Sequence, residues 1–169
     1  AAILKRPLEL INVEQQYGVF SDFENDVRST DWTATATDSG TAAVGDAANG
    51  VLVLTPSDGT VADNDEVYYA TANEVFHFAA EKPMLGIGRI KFVETASGVY
   101  NAFVGFANAV AANTLVDDGG GMRASGSIAA IYKVDTETVW RCVTRNNGVV
   151  TVTQSTTTAG GTSYQVLEI

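Results

Sequence analysis

Apolar and polar positions in this chain alternate over short stretches that are broken by Gly, Pro, Asn, Asp and Ser clusters. No segment keeps a long amphipathic helical period, so the pattern predicts strands. The strongest instance runs from Met84 to Asn108. Its first run carries Ile87, Ile90, Phe92 and Val93, and its second carries Val99, Tyr100, Phe103, Val104 and Phe106, with Ser97-Gly98 just before. β-Branched and aromatic residues on either side of a polar turn read as a hairpin. In the second run apolar side chains occupy both alternation phases. That predicts a central strand in a sheet covered on both faces.

From the N-terminus, residues 1 to about 19 form a distinct segment. Ile3, Leu4, Leu8, Leu10, Ile11 and Val13 stand among charges, with no Gly before Gly18. Pro7 biases Arg6 toward an extended conformation, while 8–16 has the length of a short helix. A terminus this apolar is expected to leave water by docking on its own domain or on a neighbour, with a neighbouring subunit the favoured dock. Two units follow: an arm over 1–19 and a β domain over 20–169.

Within that domain, strands are expected around 20–24 and 31–37, over Val51–Leu54 before the Pro56 and Ser57-Asp58-Gly59 turn, and over 65–72. Residues 73–83 interrupt them with Phe76 and Phe78 and end at Pro83. After the central pair, 107–126 reads as a small, polar surface excursion with glycines at 119–121 and one helical turn over 108–115. SIAAIYKVD, TVWRCVTR, VVTVTQST and TSYQVLEI follow as strands, and Asn147-Gly148 is a hairpin signal. Ten or eleven strands result, mostly antiparallel, with no fixed repeat.

Composition narrows this to one all-β domain. The chain has 169 residues, 46% of them apolar, with 16 Gly and only 3 Pro. Twenty acidic against ten basic residues give a net charge of −10, which argues against nucleic acid as a partner. No run of 18 apolar residues marks a membrane span. AAILKRP has neither an initiator Met nor a hydrophobic signal core, as in a chain numbered after processing or with residues omitted. One cysteine, Cys142, excludes an intrachain disulfide framework; in phase with Trp140, it is expected to be buried and inert.

The order of these elements has a resemblance. NDEVYYAT, an F-x-F stretch leading to a Pro, NAFVGFA, a small/Gly loop, a strand with Tyr132, WRCVTR, an N-G hairpin and YQVLEI follow one another. The chain resembles, over about 20–169, the concanavalin A-like (laminin G-like) jelly-roll sandwich. It is similar more narrowly to virion proteins of tailed bacteriophages with that fold, taken to be head decoration or cement proteins. The resemblance implies an antiparallel two-sheet jelly roll, here with an extended N-terminal arm. One departure matters: in the family a segment like Tyr164–Ile169 is followed by more sheet. An edge left open there is expected to be covered by the arm or another subunit.

Candidate chemistry is sparse. His77, the only histidine, lies between Phe76 and Phe78, a packing context with no nucleophile elbow nearby. One His and one Cys cannot supply three or four zinc ligands unless carboxylates fill in, and no E-x-D-x-x-E strand offers the acids of a jelly-roll glycosidase. Asp22/Glu24/Asp26, Asp63/Asp65/Glu66 and Asp117/Asp118 fall in or beside turns, where solvated acids sit; Asp63-Asn64-Asp65-Glu66 and Asp117-Asp118 offer oxygen ligands for Ca²⁺, but neither has the spacing of an EF-hand and surface acidity is the favoured reading. Gly119–Gly121 lacks the Lys-Ser/Thr of a phosphate loop. No catalytic residue, metal or cofactor is expected. Trp32, Tyr68 and Tyr69, with Tyr100, are candidate glycan contacts; Tyr68 and Tyr69 must point to opposite faces, leaving one exposed.

The expected function is non-enzymatic. The chain would be a decoration protein on the outer surface of a phage capsid, stabilising the assembled major capsid protein lattice as a homotrimer. Ile3, Leu4, Lys5, Arg6, Leu8, Leu10 and Ile11 are the expected inter-subunit contacts. The competing expectation is a lectin-like module, Ca²⁺-assisted or not, that binds cell-surface glycan; the two roles are compatible in one protein.

Overall fold

The computed structural model describes residues 18, 21, 23, 31–48, 50–60, 62, 65–96, 98–146 and 148–169. These form twelve strands, paired only antiparallel, and no helix. The centre is a four-stranded sheet in the order β11 (Val149–Thr158), β10 (Val139–Asn146), β9 (Ile128–Lys133), β6 (Ala102–Ala107). Four two-stranded ribbons surround it: β1 (Trp32–Thr37) with β4 (Glu66–Thr71), β2 (Thr41–Gly45) with β3 (Val51–Thr55), β5 (Ile87–Ile90) with β12 (Gln165–Glu168), and β7 (Leu115–Val116) with β8 (Gly121–Met122). The all-β, antiparallel expectation holds, and the layering is that of a β-sandwich.

Strand β9 explains why both faces of the central sheet are used. Its alternation sends Ile128, Ala130 and Tyr132 to one face, where they pack with Val143, Leu115 and Met122 and against Phe103 and Ala107. Ile131 points the other way, into a cluster built on Trp140, Ala159 and Leu167 with Ile90, Phe92 and Val104. The β5–β12 ribbon covers that second face. Gln165 fastens the corner: its Oε1 accepts from Trp140 Nε1 at 3.1 Å and from the Gly160 N–H at 2.8 Å, and its Nε2 donates to the Thr158 carbonyl at 2.7 Å.

Several expectations are corrected. The hairpin over Met84–Asn108 does not form: β5 pairs with β12, β6 pairs with β9, and the two strands lie in different layers. Glycine is the reason. A Cβ on Gly88 would lie 2.7 Å from Val104 Cγ1, and one on Gly86 would lie 2.9 Å from Phe106 Cε2, so β5 is laid across the face of β6. β6 is indeed covered on both faces, yet it stands at the edge of its sheet. The stretch over 107–126 is no surface excursion, because Thr114, Leu115 and Met122 are buried. Residues 108–115 make turns rather than a helical turn, with Thr114 Oγ1 donating to the Ala111 carbonyl at 2.7 Å. The β2–β3 ribbon adds a strand, Thr41–Gly45, that alternation did not single out. The helix over 8–16 lies outside the described residues, as does most of the strand around 20–24.

Candidate interaction surface

The outer side of the β5–β12 ribbon follows from strand parity. Gly88, Ile90 and Leu167 alternate inward, so Ile87, Arg89 and Val166 must alternate outward. Ile87 is 64% exposed and Val166 67%, with Leu85 beside them equally open. Arg89 stands directly opposite Val166 in the ladder, and Glu168 opposite Ile87. The Arg89 guanidinium sits 4.2 Å from the centroid of Tyr164, and Lys91 Nζ 5.1 Å from it. Both cations thus lie over one aromatic ring. The result is an apolar surface carrying two positive charges and one acid, Glu168, on a chain whose net charge is −10. Large apolar side chains grouped in this way mark a docking surface more often than chance exposure.

The same imbalance runs through the described residues. Ten apolar residues are buried there, whereas fifteen large hydrophobics are exposed. The exposed set also includes Val44, Val53 and Leu54 of the β2–β3 ribbon and Val149, Val150 and Val152 of edge strand β11. Neither the patch nor its cations were singled out from sequence. The parity of IGRIK against YQVLE could have found them once the two segments were paired.

The candidates named from sequence are not brought together. Ile3, Leu4, Lys5, Arg6, Leu8, Leu10 and Ile11 lie outside the described residues. Tyr68 and Tyr69 do point to opposite faces, but both are half-buried and neither is left exposed, because each side of β4 is packed. Tyr69 stacks on Trp32 with centroids 5.3 Å apart and planes 9° apart, while Tyr68 packs on Phe103 at 5.7 Å. The rings of Trp32, Tyr68 and Tyr69 are therefore engaged within the protein, while Tyr100 is exposed.

The acids are equally dispersed. Glu66 is not a solvated turn residue: it is buried and accepts from Tyr68 Oη at 2.8 Å and from the Asn113 N–H at 3.0 Å. Burial, then the hydrogen bond to Glu66, pushes the Tyr68 phenol well above its ordinary pKa of 10.0. Asp65 accepts from the Ala62 N–H, and Asp117 from Asn101 Nδ2. Asp22, Glu24, Asp26 and Asp63 lie outside the described residues. Among those described, no three His, Cys, Asp or Glu side chains converge as metal ligands. His77 is exposed rather than packed between its phenylalanines, since Phe76 turns to Phe106 instead. Cys142, expected to be buried, is exposed. It shares a face with Trp140, but the covering ribbon ends over Trp140 and Ile131 and leaves the outer part of β10 open.

No family model, curated protein or solved structure matches the chain.

Proposed function

We propose that this protein is a non-enzymatic decoration protein that binds the outside of an assembled phage capsid and cements its major capsid protein lattice. The observation that carries the reading is the outward apolar surface of Leu85, Ile87 and Val166 beside Arg89 and Lys91. A lattice offering many equivalent sites rewards such a surface, because every bound copy adds contacts that shell expansion must break. The resemblance of 20–169 to jelly-roll proteins of phage heads supplies the kind of partner. In this reading the domain is a jelly roll, the arm over 1–19 reaches a neighbouring subunit, and three copies close around a local threefold. The lectin-like alternative has less support, because Trp32 and Tyr69 stack on each other.

The test is copy number per shell, measured by mass on intact particles. Wild-type protein is expected at a fixed ratio to the major capsid protein. Deletion of 1–16 and the double change Ile87→Glu with Val166→Glu are each expected to reduce occupancy at least tenfold while the domain stays folded. Absence of the wild-type protein from particles, or full occupancy by both variants, would overturn the proposal.

A further inference from the structure

On the face of the central sheet opposite the β5–β12 ribbon, a cleft of about 250 Å³ opens between the glycine run at 119–121 and strands β10 and β11. Arg141 and Arg145, four residues apart on one strand and hence on one face, line it together with Gly121, Tyr132 and Val152. Arg141 is satisfied by Glu137, which takes both its Nε and its Nη2. Arg145 is different. It is 8% exposed, and its guanidinium reaches only main-chain carbonyls, those of Arg123 and Met122. Its Nε is buried and has no hydrogen-bond partner, and the same is true of Nε of Arg123 nearby. Among the described residues no carboxylate forms an ion pair with either arginine. Of the acids around the glycine run, Asp135 accepts from the Gly119 N–H at 2.7 Å, Asp117 from Asn101 and Glu137 from Arg141, while Asp118 is exposed.

A buried guanidinium cannot shed its proton, so its charge stands uncompensated where ion pairing would normally be required. Nε is shielded, but Nη1 and Nη2 each carry a second N–H beyond the one given to a carbonyl, and a planar guanidinium is matched in shape by an oxyanion. The glycines act here by leaving room: a Cβ on Gly121 would point at the Tyr132 ring and hydroxyl, 3.7 Å away, and narrow the cleft. We propose that this cleft binds a compact oxyanion group, with Arg145 as its principal anchor. The cleft is smaller than the usual range for drug-sized ligands, about 300–1,000 Å³, which fits a phosphate, sulfate or carboxylate group better than a large molecule. The inference is independent of capsid binding and stands or falls without it.

The test is thermal unfolding of the full chain in millimolar inorganic phosphate, sulfate or acetate, against chloride at equal ionic strength and pH. A saturable rise in Tm is expected, about 3 °C at ten times Kd. A rise with phosphate and sulfate alone identifies a tetrahedral group, and one with acetate alone a carboxylate. Arg145→Gln is expected to abolish it. Should that variant fail to fold, Val152→Glu decides: Val152 is exposed on β11, and a tethered carboxylate there would occupy the guanidinium and remove the response. Melting curves in all three anions that coincide with chloride, or an undiminished response in Val152→Glu, would overturn the proposal.

Discussion

Lys133 ends β9 with its side chain fully buried, its Nζ 2.6 Å from Glu94 Oε1 and donating to the carbonyls of Tyr100 and Val134. Burial pushes the Glu94 carboxyl up, but hydrogen bonds from Lys133 and from the N–H groups of Tyr100 and Gly98 outweigh it, and its pKa lies below the ordinary 4.5. A carboxyl lowered in the folded state stabilises above its unfolded pKa, and that contribution is lost as pH falls through the folded value. Stability from this pair is therefore expected to be level from pH 7 to 5 and to decline below 4.5. Glu94→Gln removes that acid limb and leaves a buried ammonium without its counter-ion, a loss of about 3–5 kcal/mol in urea unfolding at pH 7. Neither residue is conspicuous in the sequence, because the acid lies in a turn and the base at a strand end, and only the fold joins them. Cys142 makes the complementary point. Its phase with Trp140 was legible, but its exposure depends on where another ribbon ends. The native protein is expected to react fully with a thiol reagent such as DTNB without denaturant; a thiol that titrates only after unfolding would contradict its position.

Strands were readable wherever β-branched residues ran between turn formers, as in Val51–Thr55, Glu66–Thr71 and the four strands from Ile128 onward. Their partners were not equally readable. The β10–β11 hairpin is local, with Asn146 opposite Val149 and Gly148 at φ 86° in the turn, so an N-G signal sufficed. Pairing of β5 with β12 joins segments some 80 residues apart, and nothing in either run names the other. The close approaches at glycine can be ranked, one within the four-stranded sheet at Gly105 and one between layers at Gly88. A Cβ on Gly105 would lie 2.3 Å from the Ala129 carbonyl oxygen and 2.6 Å from Ala130 Cα, both main-chain atoms that cannot turn aside. On Gly88 it would meet a methyl of Val104. Gly105→Ala is expected to destabilise by about 3 kcal/mol or more and Gly88→Ala by about 1–2 kcal/mol. Equilibrium urea unfolding measures both, and a Gly88→Ala variant as stable as the wild type would refute the layer contact.

For the molecule as a whole, surface chemistry outweighs the core as a guide to role. β11 is a ten-residue edge strand with no charged side chain, and Val149 and Val150 stand exposed on it. Proteins that stay monomeric usually protect such an edge with Lys, Pro or a bulge. The register shift between Val139 and Arg141 interrupts one end of its pairing with β10, leaving Val149–Gln154 as a regular edge. The wild-type protein is expected to self-associate with rising concentration, and Val149→Lys with Val150→Lys to suppress this. Sedimentation velocity reads the difference, and a wild-type protein monomeric at all concentrations would refute it.

Period-two alternation, punctuation by Gly and Asn, and the lack of a helical period fix an all-β class, because local sterics and one-sided burial act within a few residues. The same reading excluded a cysteine or histidine metal site by residue count alone. Which strands share a sheet, which acid meets Lys133, and which side of IGRIK is left to water depend on contacts between distant segments. Those contacts are set by where glycine lets another strand come close, side chains of β6 at Gly86 and Gly88 and the main chain of β9 at Gly105, and by which faces remain when the layers close. The cleft at Arg145 belongs to this second kind, since it exists only because the glycine run folds over β10.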